Sequence, residues 1–262
     1  NPDQFPKYKH YGELLIAETA EEAGLLIYNF YEGRRHTFYY NHKFRLYWWE
    51  LDYDKFNKAV QHLEDRNNEA AENGGQILTD KEIRASALKN CSAAKEICNA
   101  QIEPLYFQRN EITDESWYYF KLQSPWAEAK TTFTADQMSS RSKFKPRVMS
   151  VMSGAMWTGT DNHLETFIKR ETERLREVKT IDYIGYSREY QTYIFPKHAV
   201  HNGQVIPINE HDYFKIKRLE LKSLAKSPVI TLNPKKEFKP FWWKDFYRVR
   251  GSKGLIALAW WT

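Results

Sequence analysis

The residues from 154 to 208 carry the clearest structural pattern of the chain, GAMWTGTDNHLETFIKRETERLREVKTIDYIGYSREYQTYIFPKHAVHNGQVIPI. Thr158 or Thr160 can cap a helix at its beginning, and Asp161 adds negative charge to the first turn. Apolar residues then recur at helical spacing from Leu164 to Val178. This spacing predicts a long amphipathic helix with one buried face.

After Val178 the pattern changes from helical to extended. The runs 180–184 and 190–195 are rich in β-formers and flank a loop at 185–189, which predicts a hairpin. A second hairpin is predicted at 198–206, because the Asn-Gly dipeptide at its centre accepts the positive φ of a tight turn. We therefore expect the long helix to lie against a small antiparallel sheet.

The N-terminal part predicts a short helix at 14–22 and then a meander of three strands at 24–31, 34–40 and 44–51. Asp52 or Asp54 can cap the helix that follows, and Thr79 with Glu82 forms a capping box that opens another helix, extending as far as Ile97. The remaining elements are a hairpin of 104–110 and 117–122, strands at 131–134, 213–221 and 229–232, and helices at 135–138, 143–152, 241–249 and 253–261. The predicted fold class is α+β, with antiparallel β-hairpins and a meander packed against several amphipathic helices.

Composition restricts the classes of protein that fit. The chain has 262 residues, 28% of them charged, and a formal net charge of +5, which permits a nucleic-acid partner without requiring one. No apolar run approaches the roughly 18 residues that span a bilayer, so we expect no membrane partner. Cys91 and Cys98 are the only cysteines, which predicts neither a zinc site nor a disulfide framework and fits a cytoplasmic location. Their seven-residue spacing would place both on one face of a helix.

Basic and aromatic residues alternate in the meander, which is typical of surfaces that bind single-stranded nucleic acid. Strand alternation places Trp48 and Trp49 on opposite faces, so one of the two is expected to face a ligand and the other the core. Two further basic segments lie later in the chain, at 141–147 and 235–236. The candidate DNA-binding residues are Arg34, Arg35, Tyr39, Lys43, Arg45, Trp48, Trp49, Arg141, Lys143, Lys145, Arg147, Lys235 and Lys236. The alternative is an ordinary sheet with an aromatic core face and a charged solvent face.

A metal-dependent activity is the second hypothesis. Asp52 and Asp54 at a strand end, followed by His163 and Asp182, resemble the pattern by which archaeo-eukaryotic-type primases and polymerases hold catalytic metal. The resemblance implies carboxylates placed around Mg²⁺. Helix capping by Asp52 or Asp54 explains the same two residues without a metal and is the favoured interpretation. We therefore assign no metal ligand, no catalytic residue and no cofactor, and the question of an enzymatic activity stays open.

Two common catalytic signatures are missing from the sequence. The glycines at 251 and 254 do not belong to a G-x-x-x-x-G-K-[ST] phosphate loop, and that motif occurs nowhere in the chain. The G-x-S-x-G nucleophile motif is also absent. No nucleotide site or hydrolase site is predicted.

Four segments resemble replication proteins of phages and mobile elements: LYFQRNEITDESWYYFKL (105–122), GAMWTGTDNHL (154–164), KTIDYIGYSREYQTYIF (179–195) and GSKGLIALAWWT (251–262). In that family a primase-like or toprim-containing part precedes a P-loop helicase-type ATPase, and the resembling segments lie just upstream of the ATPase. The resemblance implies a domain that binds DNA or couples priming to unwinding. It implies as partners single-stranded or forked DNA and an ATPase domain of the same polypeptide.

The expected organisation is an N-terminal subdomain of residues 1–130, with the meander and helices, and a C-terminal subdomain of residues 131–262, with the long helix and hairpins. The chain starts at Asn1 and stops at Thr262 within an apolar segment, so we expect a piece of a longer polypeptide. The leading functional hypothesis is a DNA-binding or coupling domain of a replicative primase-helicase. A metal-dependent nucleotidyl-transfer or nuclease domain and a protein-interaction scaffold are the alternatives, and a homo-oligomer is open.

Overall fold

A computed structural model describes residues 14, 16–31, 33–226 and 242–261. The first nine elements of this part are α1 (Ala20–Phe30), β1 (Thr37–His42), β2 (Arg45–Leu51), α2 (Tyr53–Glu72), α3 (Asp80–Cys91), β3 (Ser92–Cys98), β4 (Gln101–Asn110), β5 (Glu115–Gln123) and β6 (Glu128–Phe133). They are followed by α4 (Ala135–Met138), α5 (Arg141–Val151), α6 (Asp161–Thr172), β7 (Glu177–Ile181), β8 (Gly185–Ser187), β9 (Thr192–Ile194), β10 (His198–His201), β11 (Gln204–Pro207), β12 (Phe214–Ile216), β13 (Leu219–Ser223) and α7 (Trp242–Trp261).

The strands of the described part form three sheets, and the predicted α+β class is confirmed. One sheet has the order β1-β2-β3, a second β11-β10-β9-β8, and a third β12-β13-β7-β4-β5-β6. The first two sheets are antiparallel, whereas β4 and β7 pair in parallel and make the third sheet mixed. None of the described helices combines the length and the apolar character that a membrane span requires.

The chain divides into two compact units. The first contains residues 1–181 and 208–222, and the second contains residues 182–207 and 223–262. The subdomain boundary proposed from the sequence, between residues 130 and 131, falls inside β6. The main core of the first unit is aromatic, and its largest members include Trp48, Phe120, Phe133, Phe144, Trp157 and Phe167.

The predicted strand at 24–31 is wrong, because this segment is part of helix α1. The Thr19 side chain accepts a hydrogen bond from the Glu22 backbone N–H (3.1 Å) and caps the helix. Ala20, Ala23 and Gly24 are buried at helical spacing. A short apolar run fits a buried helix as well as a strand, and packing against β2 decides between them here.

Helix α3 begins with the predicted capping box of Thr79 and Glu82, which is confirmed. It ends at Cys91 rather than extending to Ile97, and the next residues form β3, which pairs with β2. Strand pairing overrides the helical propensity of the alanine-rich run at this point. Cys91 and Cys98 are both free, and Cys98 is buried in the strand, so the two do not share a helix face.

The hairpin of β4 and β5 and the hairpin of β10 and β11 are confirmed. The latter turns at Asn202 and Gly203, whose φ angles are 49° and 74°. The long amphipathic helix that was predicted to extend to Val178 is shorter in the structure. Helix α6 ends at Thr172, and Val178 belongs to β7 in the six-stranded sheet. The hairpin predicted from strands at 180–184 and 190–195 is formed instead by β8 and β9, so its first strand lies in the segment that was predicted to be the loop.

The last described elements also differ in part from expectation. The predicted single strand at 213–221 is the hairpin of β12 and β13, which turns at Lys217 with a φ of 54°. Two helices were predicted at 241–249 and 253–261, and α7 breaks between them at Gly251, where φ is 62° and ψ is −163°. The predicted strand at 229–232 lies outside the described residues.

Candidate nucleic-acid interface

The β1–β2 hairpin is covered on both faces, so the expectation that one tryptophan faces a ligand is wrong. Trp49 is fully buried and stacks on Phe38, with ring centroids 5.9 Å apart. Trp48 is buried on the opposite face and stacks on His163 at 4.4 Å. Neither indole ring can stack on a base without unfolding of the sheet.

Three other candidates in this hairpin contact the protein itself. The Tyr39 hydroxyl donates to Glu171 (2.7 Å), and burial raises the pKa of Tyr39. Arg45 forms an ion pair with Glu96 (2.6 Å). The Lys43 ammonium donates to the Glu18 carbonyl oxygen (2.7 Å), although its side chain is exposed. Of the remaining meander candidates, Arg34 and Arg35 are exposed, and the Arg35 guanidinium lies 4.9 Å from the Tyr31 ring centroid.

The basic segment at 141–147 does not form one surface. Arg147 donates to the Thr131 hydroxyl (2.7 Å) and to the Thr132 carbonyl oxygen (2.8 Å), which anchors α5 to β6. Lys143 forms an ion pair with Asp136. Arg141 is exposed and Lys145 is half-buried. Lys235 and Lys236 lie outside the described residues.

The acidic residues of the metal hypothesis do not come together as a described site. Asp52 is the N-cap of α2, where its carboxylate accepts from the Lys55 backbone N–H (3.0 Å), and this bond lowers the pKa of Asp52. Asp54 and Asp182 are exposed, and His163 is buried against Trp48. Among the described residues no group of three His, Cys, Asp or Glu side chains could hold a metal ion. The capping interpretation of Asp52 is confirmed.

Replacing Asp52 and Asp54 together with Asn is therefore expected to leave folding and any activity unchanged, because Asn caps a helix about as well as Asp. The corresponding Ala variant should lose about 0.5–2 kcal/mol of stability with the cap. Thermal unfolding and a Mg²⁺-dependent primer-synthesis assay measure the two effects. A folded Asn variant that loses a Mg²⁺-dependent activity would instead favour the metal hypothesis.

A cleft between α1, α2 and α3 brings together aromatic and basic side chains, and we call it the helical cleft. Its volume is ≈ 980 Å³. It is lined by Leu25, Tyr28, Asn29, Gly33, His36, Tyr53, Phe56, Lys81, Arg84, Ala85, Leu88 and Lys89. None of these lining residues carries a carboxylate.

Short-range contacts fix the three walls of the helical cleft. The Asn67 side chain donates to the Leu78 carbonyl oxygen (3.0 Å) and accepts from the Leu78 N–H (2.6 Å), which ties α2 to the start of α3. The turn after α1 places Gly33 at a φ of 71°, with its N–H donating to the Tyr28 carbonyl oxygen (3.1 Å). A side chain at Gly33 would meet the Tyr28 hydroxyl, so the turn favours glycine for both reasons.

The aromatic wall is formed by His36, Tyr53 and Phe56. The ring centroids of His36 and Tyr53 lie 4.7 Å apart, and those of Tyr53 and Phe56 lie 6.4 Å apart with nearly parallel planes. Tyr53 is 51% exposed, so its ring is available to a ligand. Burial, with a smaller effect of Tyr53, raises the pKa of Tyr28, which therefore remains a neutral hydroxyl at physiological pH.

The basic wall is one face of α3. Lys81, Arg84, Ala85 and Leu88 recur at intervals of three and four residues, and Lys89 follows in the last turn. The three cationic side chains are exposed, and no ion pair within the described residues neutralises them. Arg34 and Arg35 directly precede His36 in the chain, so their positive charge lies next to the same cleft. A cleft with this lining can stack a planar ring and bind an anion at the same time.

A second polar cluster lies on the six-stranded sheet of the first unit. The Lys222 ammonium donates to the Tyr106 hydroxyl (2.8 Å) and lies 3.3 Å from the Tyr119 ring centroid. The Tyr119 hydroxyl donates to Asp212 (2.9 Å), which also pairs with Lys130 (3.3 Å). Burial lowers the pKa of Lys222 from 10.5 to about 8.

Lys222 should make stability depend on pH in the alkaline range. Because its pKa is lower in the folded state, the unfolded state binds more protons between pH 10.5 and about 8, and stability should rise as the pH rises through this window. Relative to Lys222→Met, the wild type should gain about 1–3 kcal/mol over that range. Urea unfolding of both proteins measures the difference. Burial raises the pKa of Cys98, which acts in the opposite direction, but it is common to both proteins and cancels. Parallel stability curves for the two proteins would exclude this role of Lys222.

The sequence pattern predicted Arg34 and Arg35, which flank the helical cleft, but none of the residues that line it. The three cations of α3 were visible as a helical pattern after the capping box, and Tyr53 and Phe56 as an aromatic pair at the start of α2. The sequence did not show the contact between these helices and α1, because α1 was predicted as a strand.

Comparison with known proteins finds no relative: no protein-family model matches the chain, and no curated protein matches it.

Proposed function

We propose that this chain is a single-stranded-DNA-binding domain and that it binds DNA in the helical cleft. The observation that carries the proposal is the lining of the cleft, where, among the residues that the structure describes, aromatic rings face three cations and no carboxylate. Single-stranded nucleic acid is recognised by this combination, because bases stack on aromatic rings while phosphates bind cations. The net charge of +5 attracts the same ligand at long range.

Each wall of the cleft has one task in this proposal. A base stacks on the exposed ring of Tyr53, and His36 extends the stacking surface. Lys81, Arg84 and Lys89 contact phosphates along the strand. Lys81 and Lys89 are separated by ~12 Å along the axis of α3 at ~1.5 Å per residue. That length corresponds to roughly three or four nucleotides of a strand that keeps the ~3.4 Å rise per nucleotide of duplex DNA.

The wider context is a replicative primase-helicase of a phage or mobile element, in which this domain would bind DNA next to an ATPase domain of the same polypeptide or couple priming to unwinding. The support for it is the resemblance of residues 105–122, 154–164, 179–195 and 251–262, together with the basic and aromatic cleft. A protein-interaction scaffold is the alternative, and it predicts no salt-dependent binding of oligonucleotides.

The proposal is tested by fluorescence-anisotropy titration of a labelled oligothymidylate over a range of salt concentrations. Binding should weaken as salt rises, with a log–log slope of roughly −0.7 for each phosphate contact. Replacing Arg34 and Arg35 with Ala should lower the affinity for all sequences alike and flatten the slope by roughly 0.7 for each contact that is lost.

The matched control replaces Lys217 and Arg218, an adjacent exposed pair in the turn between β12 and β13, with Ala. It removes the same net charge away from the cleft and should change the slope little. Binding that is independent of salt, or an equal effect of the two double variants, would contradict the proposed function.

A further inference from the structure

The four-stranded sheet of the second unit has two faces of different character. Ser187, Thr192, Ile194 and Ala199 are buried on one of them. The other face presents a row of side chains, one from each strand. Register aligns Tyr186 with Tyr193, Tyr193 with Val200, and Val200 with Val205.

Three of the four side chains in this row are exposed, Val200 is half-buried, and all four are uncharged. Tyr186 and Tyr193 are each 47% exposed and Val205 is 53% exposed. The two tyrosine rings lie 4.8 Å apart between centroids, with an angle of 46° between their planes. The other described strand residues on this face are His198, which is buried, and Pro207, which is exposed, and neither carries a permanent charge. Two adjacent exposed aromatic rings of this kind can stack on a planar ligand.

The size of the patch restricts its occupant. Four strands at ~4.8 Å spacing and three residues at ~3.4 Å rise give a footprint of roughly 200 Å². A stable interface with a folded partner, or with a second copy of the chain, buries about 800 Å² on each side. The patch is therefore too small on its own to form a stable interface with a folded protein, whereas one or two nucleobases fit it.

The charges at the border of the patch agree with this occupant. Arg188 follows β8 in its turn and Lys197 precedes β10, so cations flank both ends of β9, which carries Tyr193. Both side chains are exposed. Glu189 beside Arg188 offsets part of this charge, so stacking should contribute more to binding here than ionic contacts do.

We propose that Tyr186 and Tyr193 form a base-stacking platform that binds one or two unpaired bases of single-stranded nucleic acid. The platform is a second contact beyond the helical cleft, and it rests on the proposed function in that both sites bind the same ligand. A base stacks on either tyrosine, because every base offers a π-face and the site has few groups for hydrogen-bond readout.

Photocrosslinking tests the platform separately from the cleft. An oligothymidylate carrying iodouracil in place of thymine is irradiated with the full chain, and crosslinked peptides are identified by mass spectrometry. Crosslinks at Tyr186 or Tyr193 are expected. The double variant Tyr186→Ala, Tyr193→Ala should lose these crosslinks and bind the oligonucleotide about fivefold to a hundredfold more weakly, with an unchanged salt slope. Tyr186→Phe, Tyr193→Phe should retain both, because phenylalanine still stacks.

Tyr183→Ala is the matched control for loss of an exposed tyrosine ring, since Tyr183 is 39% exposed in the same unit but precedes the sheet. It should bind the oligonucleotide as the wild type does.

Crosslinks confined to the helical cleft would overturn the platform and support the proposed function. Crosslinks confined to Tyr186 and Tyr193 would support the platform and contradict the cleft as a binding site. The absence of crosslinks at both would overturn both. A dimer or a bound protein that is lost only in the Ala double variant, without any change in oligonucleotide binding, would also overturn the platform.

Discussion

Neutralising the helical cleft with Lys81→Gln, Arg84→Gln and Lys89→Gln together is expected to weaken the binding of oligothymidylate roughly a hundredfold or more. Each charged contact to phosphate contributes about 1.5 kcal/mol, so three lost contacts exceed the ~3 kcal/mol that this factor requires. The log–log salt slope should flatten by about 2. The helix itself should persist, because glutamine has nearly the helical propensity of lysine and arginine.

The matched control neutralises three cations that do not line the cleft, Lys58, Arg66 and Lys95, all of which are exposed. It changes the net charge of the protein by the same amount, so long-range attraction falls equally in both variants. The control should lose much less affinity than the cleft variant. Equal losses of affinity would mean that DNA is attracted by the net charge of the protein alone and that the cleft is not its binding site.

The replacement of Gly24 by Val should destabilise the protein by about 3 kcal/mol or more. A Cβ atom at Gly24 would overlap Cε3 of Trp49 and would lie 2.7 Å from its Cζ3. The Trp49 ring has no free space to move into because it is fully buried. Helix α1 would have to move away from β2, and the first wall of the helical cleft would move with it. Trp49→Ala should cost about 3–5 kcal/mol on its own through the cavity that it leaves.

The double variant tests whether positions 24 and 49 are in contact. If they are, removal of the Trp49 ring leaves room for the valine at position 24, and that valine fills part of the cavity that the ring leaves. The double variant should therefore be more stable than the sum of the single effects predicts, by about 1–3 kcal/mol. Glu21→Val is the control for a branched residue in the same helix, and it should cost less than about 1 kcal/mol because Glu21 is exposed. Urea unfolding of the four variants and of the wild type measures these differences. Strict additivity would mean that α1 does not pack on Trp49 as described.

Elements that are specified by neighbouring residues could be predicted from the sequence. The capping box of Thr79 and Glu82, the turn at Asn202 and Gly203, and the β4–β5 hairpin all depend on local hydrogen bonds and local φ preferences. The same locality explains why Asp52 was correctly interpreted as a cap. These features needed no knowledge of the rest of the chain.

Features that depend on distant contacts could not be predicted in this way. Trp48 and Trp49 alternate as expected, but both faces of their sheet are covered, one by α1 and the other by α6. The pairing of β3 with β2 decides the end of α3, although the residues involved are more than forty positions apart. The helical cleft joins three helices through such contacts, so only its flanking arginines were found by their sequence pattern.

The most direct measurement of the central claim compares the oligothymidylate affinity of Tyr53→Ala with that of Tyr247→Ala. The two tyrosines are 51% and 49% exposed, but Tyr53 lines the helical cleft and Tyr247 does not. If bases stack in the cleft, Tyr53→Ala should lose about 1–3 kcal/mol of binding free energy with the salt slope unchanged, because stacking releases no ions. Tyr247→Ala should bind as the wild type does. Wild-type affinity in a folded Tyr53→Ala variant, or the same loss in both variants, would contradict the assignment of the helical cleft as the DNA-binding site.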